Sequence, residues 1–114
     1  MADCLFCGII DGKIKANIVF QNERVVAFKD VNPKAPVHIL IVPRKHLVGV
    51  LDIEPSDGAL IGEIFQVAAR LARDHGIAES GFRIIVNSGA HAGQSVFHLH
   101  YHLLGGRQMS WPPG

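Results

Sequence analysis

His98, His100 and His102 alternate with Leu99, Tyr101 and Leu103, and Leu104 closes the run. Alternation at period two marks a β-strand with one buried face, and it predicts a strand over Phe97–Leu104. On such a strand the three imidazoles share one side, with their origins roughly 7 Å apart. Histidine, with an unperturbed pKa of ~6.5, is the side chain that titrates closest to neutral pH. Three on one face make a surface that can attack, shuttle protons and bind anions. A purely structural role would leave many buried imidazole nitrogens to satisfy.

Metal ligation is the rival reading. Three histidines on zinc form a known catalytic arrangement, but ligands at i, i+2 and i+4 of one strand fan out along it, and all three cannot reach one ion at ~2.0–2.1 Å. Two can, so a metal needs further ligands from elsewhere. The preceding segment, Asn87–Ser95, is rich in small and turn-forming residues. Its glycines let backbone N–H groups approach an anion. Ser95 adds a hydroxyl and Asn87 an amide beside the histidine face.

The two cysteines, Cys4 and Cys7, form a single Cys-x-x-Cys. Such a pair reads as metal-binding, as redox-active, or as two small side chains packing a short helix. Two thiolates supply half a zinc site, and His46 and His98 are the candidates for the other half.

A chain of 114 residues builds one domain, here 1–114, with a true core. Its apolar content of 48% is high for a short soluble chain, so a second copy is expected to cover part of the surface. Net charge is +1, and no basic stripe or aromatic platform suggests nucleic-acid binding. The longest apolar run, Val37–Pro43 interrupted by His38, is too short to span a bilayer. No leader of signal-peptide form is read, and a cytoplasmic protein is expected.

Asp3 is expected to cap a short helix carrying Leu5, Phe6, Ile9 and Ile10, ended near Gly12. Ile18–Phe20 and Arg24–Phe28 read as a hairpin, Val37–Val42 as a buried central strand, and Phe82–Val86 as a fourth strand. His38 is the one polar group in the central strand. A short helical piece is expected at Leu47–Leu51. From Ser56, Leu60, Ile61, Ile64, Phe65, Ala68, Leu71 and Ala72 repeat at helical spacing up to Gly76, with His75 favourably placed at the C-terminus. Trp111 is expected to pack on its own core or on a partner subunit. The sum is α+β, an antiparallel sheet with a long helix on one face.

The run His98–Leu104 matches the His-φ-His-φ-His-φ-φ motif of the histidine triad superfamily. Asp30, Ala35–His38, Pro43–His46, Val86–Asn87, Ala92–Phe97 and the tail Leu104–Gly114 extend the likeness along the whole chain, and the chain resembles the histidine triad nucleotide-binding branch. The resemblance implies a homodimer whose two five-stranded sheets join into one of ten strands. It implies a purine nucleoside phosphoramidase that cleaves the P–N bond of adenosine 5′-monophosphoramidate and related substrates. His100 would be the nucleophile, forming a nucleotidyl-histidine that water hydrolyses to AMP.

The same resemblance assigns the remaining site. His102, Asn87, Ser95 and the backbone amides of Gly93, Gln94, Ser95 and Val96 would hold the phosphate, with Ser95 also serving the departing nitrogen. His38 and His98 complete the polar cluster, His38 by orienting its neighbours. Asp30 would take the ribose hydroxyls, Phe6, Ile9, Phe28 and Val31 the base, and Trp111 would reach the partner's site. In microbial relatives a structural zinc sits at the positions of Cys4, Cys7, His46 and His98, and catalysis itself requires no cofactor. The competing readings are a dinucleoside polyphosphate hydrolase or nucleotidyl transferase, and a regulatory nucleotide-binding module acting through protein partners.

Overall fold

The structure is a computed structural model, and residues 3–114 are described. It holds helix α1 (Leu5–Ile10), strands β1 (Ile18–Gln21), β2 (Val25–Lys29) and β3 (Val37–Pro43), the long helix α2 (Gly58–Asp74), and strands β4 (Phe82–Ile85) and β5 (Tyr101–Gly105). The five strands form one antiparallel sheet in the order β1-β2-β3-β5-β4. Asn22 makes the first hairpin: its side-chain oxygen accepts the N–H groups of Arg24 and Val25, both at 2.9 Å. This local bond is the reason Asn favours such turns.

Period-two geometry divides the sheet into two faces. Val25, Ala27, Ile39, Ile41, Tyr101 and Leu103 point to the face covered by α2. Val26, Phe28, Leu40 and Val42 point to the opposite face, where α1 lays Phe6 and Ile9 on them. Covering on both sides explains why β3 reads as a nearly continuous apolar run. His38 and His102 sit on the α1 face, since His38 pairs with Leu104 and Leu40 with His102 across the β3–β5 ladder. The sheet thus carries a packed face under the long helix and a second face, only partly roofed by the short one.

The expected elements are present with shifted ends. The strand expected at Phe97–Leu104 enters the ladder only at Tyr101, because the Leu99 N–H donates at 2.6 Å to the carbonyl of Leu47 in the loop after β3. Strand β4 stops at Ile85. Cys4, rather than Asp3, caps α1, its Sγ accepting the Cys7 N–H at 3.3 Å. The helical piece expected at Leu47–Leu51 is a 3₁₀ turn at Val50–Asp52. Before α2, Glu54 and Asp57 cap each other across a 3₁₀ turn at Pro55–Asp57. His75 ends α2 with its Nδ1 3.0 Å from the carbonyl of Leu71, and Gly76 reverses the chain at φ +72°. Among the described residues, no helix is long and apolar enough to cross a membrane.

Candidate active site

His100 is buried, and its Nδ1 lies 2.7 Å from the carbonyl oxygen of His98. A carbonyl only accepts, so Nδ1 carries a proton, and it is Nε2 that holds the lone pair in the neutral tautomer. The ring is braced edge-on by Phe6 at a centroid distance of 5.0 Å. The loop ahead of β5 therefore fixes both the orientation and the tautomer of this imidazole.

A second chain of bonds fixes its neighbour. The Lys34 N–H donates to His38 Nδ1 at 2.9 Å, which places the His38 proton on Nε2. That N–H points to His102 Nδ1 at 2.9 Å, with an Asp30 oxygen 3.3 Å away. His102 consequently carries its own proton on Nε2. Burial, then the nearby His100 and His38, push the His102 pKa down to about 4, against a smaller upward pull from Asp30. Burial also lowers His38, with Asp30 opposing it. Both rings are neutral at pH 7. Asp30, His38 and His102 lie close enough to hold a metal, but the Nε2 proton of His38 makes the trio a hydrogen-bonded relay.

His100 and His102 close one end of a cleft of about 320 Å³. Phe6, Ile9, Phe28 and Leu40 wall it, Asp30 and Val31 stand at its rim, and Ser95 and Val96 join the histidines at the polar end. Nine residues expected at a nucleotide site thus meet in one place. Asn87 lines a neighbouring hollow of about 400 Å³ that shares Asp30 and His102 with the cleft.

Three expected contacts, those of Gly93, Gln94 and Trp111, differ. The Gln94 side chain is buried away from the cleft: its Oε1 accepts the Gly89 N–H at 2.9 Å, and its Nε2 donates to the carbonyls of Val48 and Val96 at 2.8 and 3.2 Å. It braces the loop, aided by Gly93 at φ +86°. The Gln94 and Gly93 backbone N–H groups are spent in the same loop, on the carbonyls of Gly89 and Ala90 at 3.1 and 3.0 Å, so of the four amides expected at an anion only those of Ser95 and Val96 remain for it. Trp111 does not pack on its own core; it is 81% exposed and stands outside both hollows.

Sequence reasoning missed Leu5, Ile14, Lys15, Ala16, Lys29 and Leu40 as cleft residues. Leu40 could have been found from its period-two relation to His38. The Ile14–Ala16 stretch carries no periodic signal.

His98 serves a different cluster. It is fully buried, and its Nε2–H donates to the Pro43 carbonyl at 2.7 Å, which turns the Nδ1 lone pair toward Cys4, Cys7 and His46. Cys4 Sγ and Cys7 Sγ lie 3.5 and 3.6 Å from that atom, His46 Nδ1 lies 3.1 Å from it, and Cys7 Sγ is 3.3 Å from His46 Nδ1. Donors bound tetrahedrally to one zinc stand about 3.3–3.8 Å apart, given bonds of about 2.0–2.3 Å. The four donors therefore fit a closed Cys₂His₂ site. Burial and the adjacent Cys4 raise the Cys7 thiol pKa. Only one triad histidine faces this cluster, which removes the fan-out objection.

An α+β sheet carrying an oriented imidazole at the polar end of an apolar cleft defines a histidine-based ligand site. The chain belongs to the histidine triad (HIT) family: the HIT domain family model matches residues 11–109. An uncharacterised HIT-like protein of Synechocystis is 49% identical over 98% of this chain and 97% of its own. A HIT family hydrolase from Legionella pneumophila superposes with a TM-score of 0.97 at 46% identity, covering 98% of this chain and all of that one. A histidine triad nucleotide-binding protein from Candida albicans gives 0.83 at 28% identity, over 96% of this chain and 83% of that one.

Proposed function

We propose that this protein is a purine nucleoside phosphoramidase, hydrolysing the P–N bond of adenosine 5′-monophosphoramidate-type substrates. The observation that carries this reading is the His100 Nε2 lone pair, presented at the polar end of the cleft by the Nδ1–H bond to His98. The chain's likeness to a HIT family hydrolase and to a histidine triad nucleotide-binding protein supports it.

In this account the base enters between Phe6, Ile9 and Phe28, and the ribose hydroxyls donate to Asp30. One Asp30 oxygen already accepts the Asn32 N–H at 2.8 Å, and a carboxylate's remaining lone pairs leave room for a diol. His100 Nε2 attacks phosphorus, and the P–N electron pair leaves with the amine, which takes a proton from the Ser95 side. The His102 Nε2–H donates to the phosphoryl oxygen as charge builds there; a preorganised donor of this kind is worth about 10²–10³ in rate. Water then displaces His100 and releases AMP. A zinc ion held by Cys4, Cys7, His46 and His98 would supply structural bracing of α1 against the triad segment, with no part in the reaction. A homodimer joined into a ten-stranded sheet finds support in β4, which lies at a sheet edge.

The test compares turnover of adenosine phosphoramidate with that of diadenosine polyphosphates. Preference for the P–N substrate supports the reading. Preference for the polyphosphates would turn it to a dinucleoside polyphosphate hydrolase.

A further inference from the structure

Cys4 and Cys7 sit three residues apart at the start of α1, where side chains three apart are neighbours. Their sulfurs lie within 4.8 Å of each other, and Cys4 Sγ already accepts the Cys7 N–H. Both are only partly buried. A hollow of about 460 Å³, adjoining the nucleotide cleft at Leu5, Ser95 and Val96, opens onto Cys4, His46, Ser95 and Phe97 but not onto Cys7. Small solutes in that hollow thus meet the Cys4 sulfur first.

We propose that Cys4 and Cys7 are a reversible thiol–disulfide pair that responds to peroxide and whose state is felt in the nucleotide cleft. The Cys4 thiolate attacks a peroxide oxygen, the O–O bond breaks, and hydroxide leaves to give a sulfenic acid at Cys4. Cys7 sulfur then attacks Cys4 sulfur, the S–O bond breaks, and water is released. The sum converts two thiols and one hydrogen peroxide into one disulfide and two waters. A dithiol reductant reverses it by exchange.

Two structural links carry the consequence. A disulfide holds its sulfurs about 2.05 Å apart and offers no thiolate charge, so Cys4 and Cys7 withdraw from the cluster and any zinc there loses two of its four ligands. Closing the bond also pulls on the first turn of α1, which places Phe6 against His100 and Ile9 in the cleft wall. Oxidation therefore weakens nucleotide binding while leaving His100 chemically intact. The zinc and AMP arms of this inference rest on the function proposed above; the thiol chemistry does not.

The experiment treats the reduced, zinc-loaded full chain with equimolar hydrogen peroxide. Peptide mass mapping follows the thiols, a chromogenic chelator follows zinc, and calorimetry follows AMP. The expected result is a Cys4–Cys7 disulfide, zinc released in step with it, and an AMP Kd raised at least threefold, all restored by dithiothreitol and zinc. In Cys7→Ser, dimedone should label Cys4; in Cys4→Ser it should label nothing. Thiols still reduced at tenfold excess peroxide, disulfides between chains, or dimedone on Cys7 in Cys4→Ser would overturn the proposal. A disulfide that forms in protein carrying no zinc would contradict the zinc reading alone. Absence of AMP binding in the reduced protein would contradict the nucleotide reading alone.

Discussion

The Nε2 of His38 stands 2.9 Å from Nδ1 of His102, and the Lys34 N–H behind it decides which of the two carries the shared proton. A backbone amide thereby sets the state of a ring two bonds away. In the proposed reaction His38 acts through His102 and need not touch the ligand.

Replacing His38 tests that relay. His38→Ala leaves His102 free to take either tautomer, and kcat should fall about tenfold to a hundredfold while KM changes little. The loss should stay below the ~10²–10³ expected for removing the phosphate donor itself in His102→Ala. Steady-state kinetics on both variants checks the order. An equal rise in KM would point instead to a collapsed cleft.

The depressed His102 pKa predicts a pH dependence of stability. Between its ordinary value of 6.5 and about 4, the unfolded chain binds a proton at this ring that the folded chain does not. Stability contributed by the neutral ring is thus full above 6.5 and is lost as pH falls toward 4. Urea midpoints measured at pH 7 and pH 5 should drop more in the native protein than in His102→Asn.

Gly8 offers a test of the cleft wall. A Cβ added there would meet Ile14 Cδ1 at 2.5 Å and Cγ1 at 3.0 Å, the flexible end of a side chain that lines the cleft. Ala gains about 1 kcal/mol over Gly in a helix, which offsets the displacement. Gly8→Ala should keep its Tm within a few degrees and raise KM severalfold with kcat nearly unchanged.

Zinc removal separates bracing from chemistry. Stripping the metal under reducing conditions should lower Tm by several degrees, because ligand binding to the folded state alone is stabilising. Turnover at saturating substrate should remain within about twofold. Calorimetry and kinetics on the same sample read both quantities.

Much of this was legible in the sequence, and the remainder has physical causes. Period two placed His102 on a strand, with His100 in the loop one residue ahead of it, and Cys4, Cys7, His46 and His98 were identifiable by residue type. The strand's true start was not, because Leu99 spends its N–H on Leu47, a contact with no local signature. The tautomers were equally invisible, since the Lys34 amide and the Pro43 and His98 carbonyls that fix them are backbone groups common to every residue. Gln94 misled for a related reason: it lies close to the histidines in sequence, but its amide is consumed in holding the loop.

The most direct measurement is to mix the protein with an adenosine phosphoramidate, quench in alkali within the first turnover, and map the adduct by mass spectrometry. A nucleotidyl group on His100, absent in His100→Ala together with nearly all turnover, is the predicted result. Turnover that persists in His100→Ala, or that native protein loses on chelation alone, would contradict it and return the reaction to metal-assisted hydrolysis.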